Sequence, residues 1–368
     1  MSTALNAEQA ELRNAVAELM TKRSPESEVR RLMADDSGFD PAVWSELAGM
    51  GLLGLAIPEE FGGAGAGATD LGVVCEQMGR GLLCAPYLST AVLTPYLLLE
   101  LGETAECADV LPRIAAGEML TAVAFAEAGS ARPPQYPATT AVEGPHGWRL
   151  TGEKTYVLDA HSAERLYVQA ESGSGPVIFA VERTAPGLSV TQLDTVDRTR
   201  RQSRANLAET PGRPLGPASA LETALDRAAV ALVAEQAGGA AHVTAMAADY
   251  ARTRYQFGRA IGSFQAVKHM CVDMLLEAES AVSAARHVAA AFDSGDPDRL
   301  TDLATAQAYC SQAYVSTAAT NIQVHGGIGF TWEHPAHLYL RRARTDAQIF
   351  GDPAWHRERY VRLREENS

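Results

Sequence analysis

Residues 252–265 read RTRYQFGRAIGSFQ and join two long helical patterns. The first pattern ends with five residues at steps of three or four: Val243, Met246, Tyr250, Arg254 and Phe257. This spacing predicts one face of a helix, followed by a glycine stop and a second helix from about residue 264. A guanidinium on an apolar face needs an anion, because burying an unpaired charge is costly. The pattern leaves two partners open for Arg254, an internal carboxylate or a bound phosphate.

The whole chain has 368 residues, of which 46% are apolar, and this is enough for two or three domains with a large core. Its longest apolar runs are interrupted by proline and acidic residues and fall short of a membrane span. The first ten residues show no secretion signal. The net charge of −14 argues against nucleic acid or an anionic membrane as a partner.

The five cysteines are dispersed, at positions 75, 84, 107, 271 and 310, and none forms a CxxC pair. An odd, scattered set predicts reduced thiols and a cytoplasmic protein. The nine histidines show no spacing typical of zinc ligands, so we predict no metal site.

The periodicity of the sequence changes near residue 119 from helical to alternating. Short β-branched or aromatic runs, separated by Gly, Pro and Ser, predict a compact antiparallel β domain: 121–125, 148–150, 155–158, 166–169 and 177–181. Residues 191–217, rich in Arg, Thr, Pro and Gly, predict a crossing connection. The remainder is helical. We therefore predict three domains, with boundaries 1–118, 119–215 and 216–368.

Two glycine-rich stretches are candidate binding loops. Residues 63–68 read GAGAGA, but a Pro-Glu-Glu turn precedes them where a buried strand should end, so we reject a Rossmann site. Residues 323–330 read QVHGGIGF and follow a third long helical pattern. Gly326 and Gly327 predict a helix stop that tolerates positive φ and close approach. By itself this pair also fits an ordinary helix C-cap.

The string R-x-Q-F-G-R-x-I-G-x-F-Q, which begins at Arg254, resembles the flavin-contacting segment of the acyl-CoA dehydrogenases. Residues 323–330 resemble a second motif of that family, Q-x-x-G-G-x-G-[FY]. The resemblance covers essentially the whole chain and implies a multidomain α and β fold with FAD as cofactor. In this fold an N-terminal helical domain and a middle β domain precede a C-terminal four-helix bundle that serves subunit assembly.

The resemblance also implies which residues hold the flavin. Arg254 and Phe257 would reach the FAD of a neighbouring subunit, and Gln265 would contact the flavin nucleotide. Gln323, with the backbone amides of Gly326 and Gly327, would hold the FAD of the partner subunit. A pyrophosphate then becomes the expected partner of the arginine, because a planar guanidinium binds phosphate bidentately. Such contacts require at least a dimer, homomeric or heteromeric, and a tetramer is equally compatible.

Two segments of the predicted β domain resemble further family motifs. AEAGS at 126–130 resembles a shortened form of the loop that holds the flavin ring and the thioester, which implies a role for Ser130. GEKTYVLD at 152–159 resembles the strand that places an aromatic residue beside the isoalloxazine. Tyr156 stands where the family usually has tryptophan. Elsewhere, arginine is concentrated at 198–204 and 341–344, where solvated faces and contacts to anionic ligands are both open interpretations.

The implied reaction is α,β-desaturation of an acyl-CoA, with electrons passed to an electron-transfer flavoprotein. It needs a base for the α-proton, and a carboxylate in an apolar pocket is the natural acceptor. In most of the family this carboxylate lies in a Tyr-Glu-Gly segment after the glycine pair. Here residues 346–353 read DAQIFGDP, which puts Phe350 or Gly351 at that place. The position that some relatives use instead corresponds to about Ala228, so neither usual glutamate is present.

Three explanations of the missing glutamate stay open. Asp352 is our predicted catalytic residue, as a displaced and shorter base, although it also fits a turn aspartate before Pro353. Alternatively, the chain is a non-catalytic or half-site partner, as it is similar to actinobacterial heteromeric subunits of steroid side-chain breakdown. Thirdly, it is a flavin oxygenase of the same fold. Glu235 and Asp226 are further acidic candidates, on the helix that borders the site in the family.

Overall fold

The computed structural model describes residues 4–130 and 132–366. The helices are α1 (Ala7–Arg23), α2 (Glu26–Ala34), α3 (Pro41–Gly49), α4 (Ala68–Arg80), α5 (Thr94–Leu101), α6 (Thr104–Ala115), α7 (Ser219–Thr253), α8 (Gln265–Ser294), α9 (Arg299–His325), α10 (Ala336–Asp346) and α11 (Pro353–Glu366). The strands are β1 (Thr121–Ala124), β2 (Thr140–Gly144), β3 (Gly147–Leu158), β4 (Arg165–Glu171), β5 (Pro176–Glu182), β6 (Leu188–Gln192), β7 (Gln202–Pro217), β8 (Tyr255–Gln256) and β9 (Arg259–Ala260). Short 3-10 segments lie at Leu52–Gly54, Glu59–Phe61, Ile261–Ser263 and Gly326–Phe330, and a π-helical segment lies at Tyr87–Leu93.

The chain forms two compact units. The helical unit consists of the residues up to Arg30, Ala68–Leu83 and the residues from Ala229 onward. The barrel unit consists of Arg31–Gly67 and Cys84–Ala228. The division therefore falls inside α2 and α7. The predicted class is confirmed, with helices before and after a middle β sheet, whereas the three sequence boundaries stay a prediction.

The barrel unit is built on a seven-stranded sheet in the order β1-β4-β2-β3-β7-β5, with β6 on β7. β5 also pairs with β4, which closes the sheet on itself. Most pairs are antiparallel, and β1 runs parallel to β4. Inward-facing side chains from these strands form one buried cluster, which includes Leu150, Leu166, Phe179 and Val181.

The predicted crossing connection at 191–217 is wrong, because most of it is β-strand. β6 ends at Gln192, and β7 runs for 16 residues beside β3, β5 and β6. Proline within a run usually argues against a paired strand, and glycine interrupts its alternation. Pro211 and Gly212 pair in regular register with Arg149 and Trp148 of β3, whereas Pro214 and Gly216 flank a register shift against β5. These residues remove the alternation that would have predicted the strand.

The helical unit depends on close approach between α4 and α7. A Cβ atom added at Gly79 would lie 2.0 Å from the carbonyl oxygen of Glu235, and one at Gly238 would lie 1.9 Å from that of Glu76. Only glycine permits this contact. α8 and α9 pack together, α10 and α11 pack on α9, and α1 and α8 both pack on α4. Within the described ranges, no helix is long and apolar enough to cross a membrane.

Candidate functional site

The arginine that closes the first helical pattern lies at the end of α7. The helix stops at Thr253, and the Arg254 N–H donates to the carbonyl of Tyr250 over 2.8 Å. Arg254 is exposed. Among residues 4–130 and 132–366 we find no ion pair to it, so the internal salt bridge left open by the sequence is not found there. The side chain is available to an external anion.

Phe257 does not continue the helical face, and that part of the prediction is wrong. β8 and β9 form a hairpin in which Gln256 pairs with Arg259, so Phe257 and Gly258 make a two-residue turn. Both have positive φ, 53° and 77°, as a type I′ turn requires. A phenylalanine rarely adopts this conformation, and Phe257 is 91% exposed. Strain combined with exposure of a large aromatic ring is typical of a binding surface.

The helix that follows the hairpin begins at Gln265, which is exposed. Its N-cap residue, Phe264, provides no side-chain hydrogen bond to the first turn. The first backbone N–H groups of this 30-residue helix are therefore open to an anion, which the helix dipole also favours. Phe264 is held by the Arg259 guanidinium, 3.9 Å above its ring, and by an edge contact with Phe257 at 6.2 Å.

The end of α9 lies beside the end of α7. The ring of Tyr250 stacks on that of His325 with 4.2 Å between centroids, and Ala251 shares a buried cluster with Val324. The Nδ1 atom of His325 lies 2.8 Å from the Asn321 carbonyl oxygen. Burial lowers the pKa of His325, although this hydrogen bond opposes the shift. The two motifs predicted from the sequence are thus brought together within one unit.

The glycine pair after α9 faces open space. Gly326 has φ 62° and caps the helix, so its conformation requires glycine. Gly327 has no such requirement, and a Cβ atom at either position would meet no atom of the described residues within 4 Å. Gln323, one turn earlier, is also exposed. Because nothing in the described chain explains Gly327, the open surface beside it is suited to close approach by another molecule.

The two predicted flavin motifs of the barrel unit are joined by a buried ion pair. Lys154 Nζ lies 2.7 Å from Glu127 Oε1 and also donates to the Phe125 carbonyl at 3.3 Å. The Thr155 N–H donates to the Ala126 carbonyl at 2.9 Å. Burial raises the pKa of Glu127, but hydrogen bonds from Lys154 and two backbone N–H groups outweigh it and hold this pKa at about 2. The motifs did not predict this ion pair. The signal that could have indicated it is an acidic residue in the loop together with a lysine in the strand that follows.

Ser130 and Tyr156 lie on these two segments, and both are exposed. The Ser130 N–H donates to the Glu127 carbonyl at 3.2 Å, and its hydroxyl accepts the Arg132 N–H at 3.1 Å. Tyr156 has φ 53°, and its side chain is 49% exposed. The strain at Tyr156 is consistent with a functional position.

The segment at the place of the usual glutamate presents no carboxylate there. Phe350 is buried with φ 62°, and Gly351 is buried with φ 116°. Asp352 is exposed and caps α11, because its Oδ1 accepts the Trp355 N–H at 2.7 Å. This geometry matches the turn role that the sequence left open for Asp352, while its role as a base stays a prediction.

The other acidic candidates differ in their surroundings. Glu235 is buried, and its Oε1 lies 2.5 Å from Nη1 of Arg342, whose Nη2 donates to the Leu83 carbonyl at 3.1 Å. The solvated-face interpretation of residues 341–344 is therefore wrong for Arg342, which is buried. Asp226 and Ala228 are buried on α7. No cluster of metal-ligating side chains occurs in the part of the chain that the structure describes.

Two family profiles match the chain. Residues 6–118 match "Acyl-CoA dehydrogenase, N-terminal domain", and residues 216–362 match "Acyl-CoA dehydrogenase, C-terminal domain". Among curated proteins, "Acyl-CoA dehydrogenase IpdE2" of Mycobacterium tuberculosis is 34% identical over 343 residues, which are 93% of this chain and 92% of that protein.

Two solved structures have similar folds along their full length. A chain from a variant of the "Tcur3481-Tcur3483 steroid ACAD" superposes with a TM-score of 0.89 at 33% identity, covering 98% of both chains. A chain of the "ChsE4-ChsE5 complex from Mycobacterium tuberculosis" superposes with a TM-score of 0.91 at 28% identity, covering 100% of this chain and 99% of that one.

Proposed function

The chain belongs to the acyl-CoA dehydrogenase family, and on this premise we propose that it is an FAD-binding subunit of a two-chain acyl-CoA dehydrogenase. The reaction is α,β-desaturation of an acyl-CoA, with an electron-transfer flavoprotein as electron acceptor. Two of the similar solved structures bear the names of paired chains, Tcur3481–Tcur3483 and ChsE4–ChsE5, and the first is called a steroid ACAD. A bulky acyl group of that class is the proposed substrate.

The observation that supports FAD most directly is the open surface at the ends of α7 and α9. The Arg254 guanidinium has no acidic partner in the described ranges, and the first turn of α8 has no side-chain cap. Both are suited to a pyrophosphate. Gly326 and Gly327 leave room for a nucleotide at their backbone. The residues present therefore fit the cofactor.

Each predicted contact then has a distinct role. Arg254 and the N-terminus of α8 with Gln265 would bind the pyrophosphate, and Phe257 would pack against the nucleotide. On the end of α9, Gln323 and the glycine pair would complete the surface. In the barrel unit, Ser130 and Tyr156 would contact the flavin ring. FAD, when bound, supplies the acceptor for the hydride that leaves the β-carbon.

The surroundings of the expected base support a two-chain enzyme. Phe350 is apolar and buried where most of the family has its glutamate, and Ala228 is apolar where some relatives have theirs. Glu235 is engaged by Arg342 at 2.5 Å. We therefore assign the catalytic carboxylate to the partner chain, and to this chain the flavin contacts and the assembly surface.

Asp352 is the remaining candidate within this chain. Its carboxylate is exposed, and Oδ1 is used in the helix cap. Asn caps helices about as well as Asp, so Asp352→Asn removes the base and keeps the cap. Desaturation by the chain alone, lost in Asp352→Asn, would make Asp352 the base and overturn the assignment to a partner.

The deciding experiment compares the chain expressed alone with the chain co-expressed with a neighbouring homologue. We expect flavin to co-purify with the assembly, acyl-CoA to bleach it, and neither to occur with the lone chain. Consumption of oxygen by the chemically reduced flavin, with no response to acyl-CoA, would instead indicate the oxygenase alternative. We place the assembly in the cytoplasm, since all five cysteines are free thiols.

A further inference from the structure

The helical unit contains a cavity of about 780 Å³ that is separate from the residues assigned to flavin. Side chains of α1, α4, α7 and α10 and the start of α2 line it. Its apolar wall includes Met20, Leu82, Met246 and Leu338. A cavity of this size accommodates a small organic molecule.

The two acids of the wall are already neutralised. Glu76 Oε2 lies 3.2 Å from an Nη atom of Arg286, and Glu26 Oε1 lies 2.7 Å from Nε of Arg30. Neither carboxylate therefore presents an unneutralised negative charge to a ligand in the cavity.

Neither arginine of the wall, Arg13 or Arg80, is paired with a carboxylate among residues 4–130 and 132–366. Arg13 donates to the neutral amide of Asn14, at 3.0 and 3.2 Å. For Arg80 there is no ion pair with any residue in 4–130 or 132–366, and its side chain is half-buried at the cavity. The cavity consequently carries positive charge in a protein whose net charge is −14.

A neutral imidazole lies beside Arg80. The ring of His242 stacks on Tyr339 at 4.9 Å, and the hydroxyl of Tyr339 donates to the Arg80 carbonyl at 2.9 Å, which fixes both rings. The ring nitrogens of His242 have no hydrogen-bond partner within the described ranges. Burial, with a smaller contribution from Arg80, lowers the pKa of His242 to about 4. The ring thus offers one donor and one acceptor at neutral pH.

We propose that this cavity binds a small organic monocarboxylate, with its carboxylate on Arg80 and His242 and its apolar body against Met20, Met246 and Leu338. A guanidinium binds carboxylate through paired N–H groups. A small inorganic anion could also contact Arg80, but it would leave the apolar wall without a partner, whereas the hydrocarbon body of an organic acid buries that wall. The site goes beyond the proposed dehydrogenase activity and does not depend on it.

The test is isothermal titration of the intact assembly with octanoate as the probe. We expect saturable binding of one octanoate per cavity, and markedly weaker binding of 1-octanol and of inorganic phosphate. Arg80→Gln should weaken octanoate binding roughly tenfold to a hundredfold, the range for a lost hydrogen bond to a charged group. Arg80→Lys should retain most of the affinity. Arg357→Gln, on the exposed face of α11 and outside the cavity, is the matched control.

A second variant tests whether the ligand occupies the cavity itself, and it leaves the charged side chains unchanged. Ala17 lines the cavity on α1, and Ala17→Trp should fill it and abolish binding. Octanoate bound in the acyl site would be insensitive to both Ala17→Trp and Arg80→Gln, and that result would overturn the proposal. Absence of binding at millimolar octanoate, or equal affinity for 1-octanol, would overturn it as well. If Ala17→Trp does not fold, the comparison of Arg80→Gln with Arg80→Lys decides alone.

Discussion

Replacing Lys154 by methionine should destabilise the barrel unit and loosen the loop at 126–130. The side chain of Lys154 is 0% exposed and that of Glu127 is 13% exposed. Breaking a buried ion pair by removing one partner costs about 3–5 kcal/mol, because the other charge is left uncompensated. Glu127 keeps the N–H groups of Ala138 and Thr139 and the Thr139 hydroxyl, at 2.7–2.9 Å. We therefore expect the lower end of that range, about 3 kcal/mol.

The assay is differential scanning calorimetry of the purified assembly. A loss of about 3 kcal/mol corresponds to a fall in Tm of roughly 6–12 °C for a domain of this size. Lys22→Met, which removes an exposed lysine from α1, should leave Tm unchanged. The double variant Lys154→Met with Glu127→Gln should recover part of the loss, because it leaves no buried charge.

The same loosening should reduce the flavin retained per assembly, since Ser130 lies at the end of the loop that this ion pair holds. A Tm for Lys154→Met indistinguishable from that of the unmodified protein, in the same scan and buffer, would refute the reasoning. So would a double variant less stable than Lys154→Met alone. Either result would mean that the pair contributes nothing to holding the two motifs together.

Four further predictions follow from the geometry. Gly79→Ala should lower the free energy of unfolding of the helical unit by about 1–3 kcal/mol in a urea titration, because the new Cβ would lie 2.0 Å from a backbone oxygen. Gly72→Ala on the same helix is the control, and it should be neutral or stabilising because its Cβ would lie 3.7 Å from the nearest side-chain atom. Arg254→Met should lower the flavin content of the assembly, measured by visible absorbance, and should leave the Tm of the flavin-free protein unchanged in calorimetry, since the residue is exposed. The pKa of Glu127 is held at about 2, below its ordinary 4.5, so ionised Glu127 stabilises the fold above pH 4.5 and this contribution is lost as the pH falls towards 2. In an acid titration, Lys154→Met should lose less free energy of unfolding over that pH range than the unmodified protein. Asp352→Asn should leave both stability and the acyl-CoA-dependent rate of the two-chain assembly unchanged, and a rate loss without a change in Tm would contradict the partner's role.

Much of the fold could be predicted because the local patterns agree with the final structure. The change from helical to alternating periodicity at residue 119 coincides with the start of β1 at Thr121. The long helices α7, α8 and α9 follow continuous apolar stripes. β7 could not be predicted, because the prolines and glycines within residues 211–217 remove the alternation on which strand prediction depends.

Only part of the candidate site could be predicted from the sequence. The motif strings locate Arg254 and the glycine pair, but the hairpin that turns Phe257 away from the helix depends on positive φ at two successive residues. The buried pairs Lys154–Glu127 and Arg342–Glu235 link residues 27 and 107 positions apart. Such long-range pairings leave no local pattern, so the structure was needed to show them.

The measurement that tests the central claim most directly is the flavin content of the chain purified together with its co-encoded partner. We predict a yellow assembly whose flavin is bleached by acyl-CoA, and an assembly with a clearly lower flavin content when this chain carries Arg254→Met. A colourless assembly with the unmodified chain, or one that holds its full flavin content despite Arg254→Met, would contradict the account.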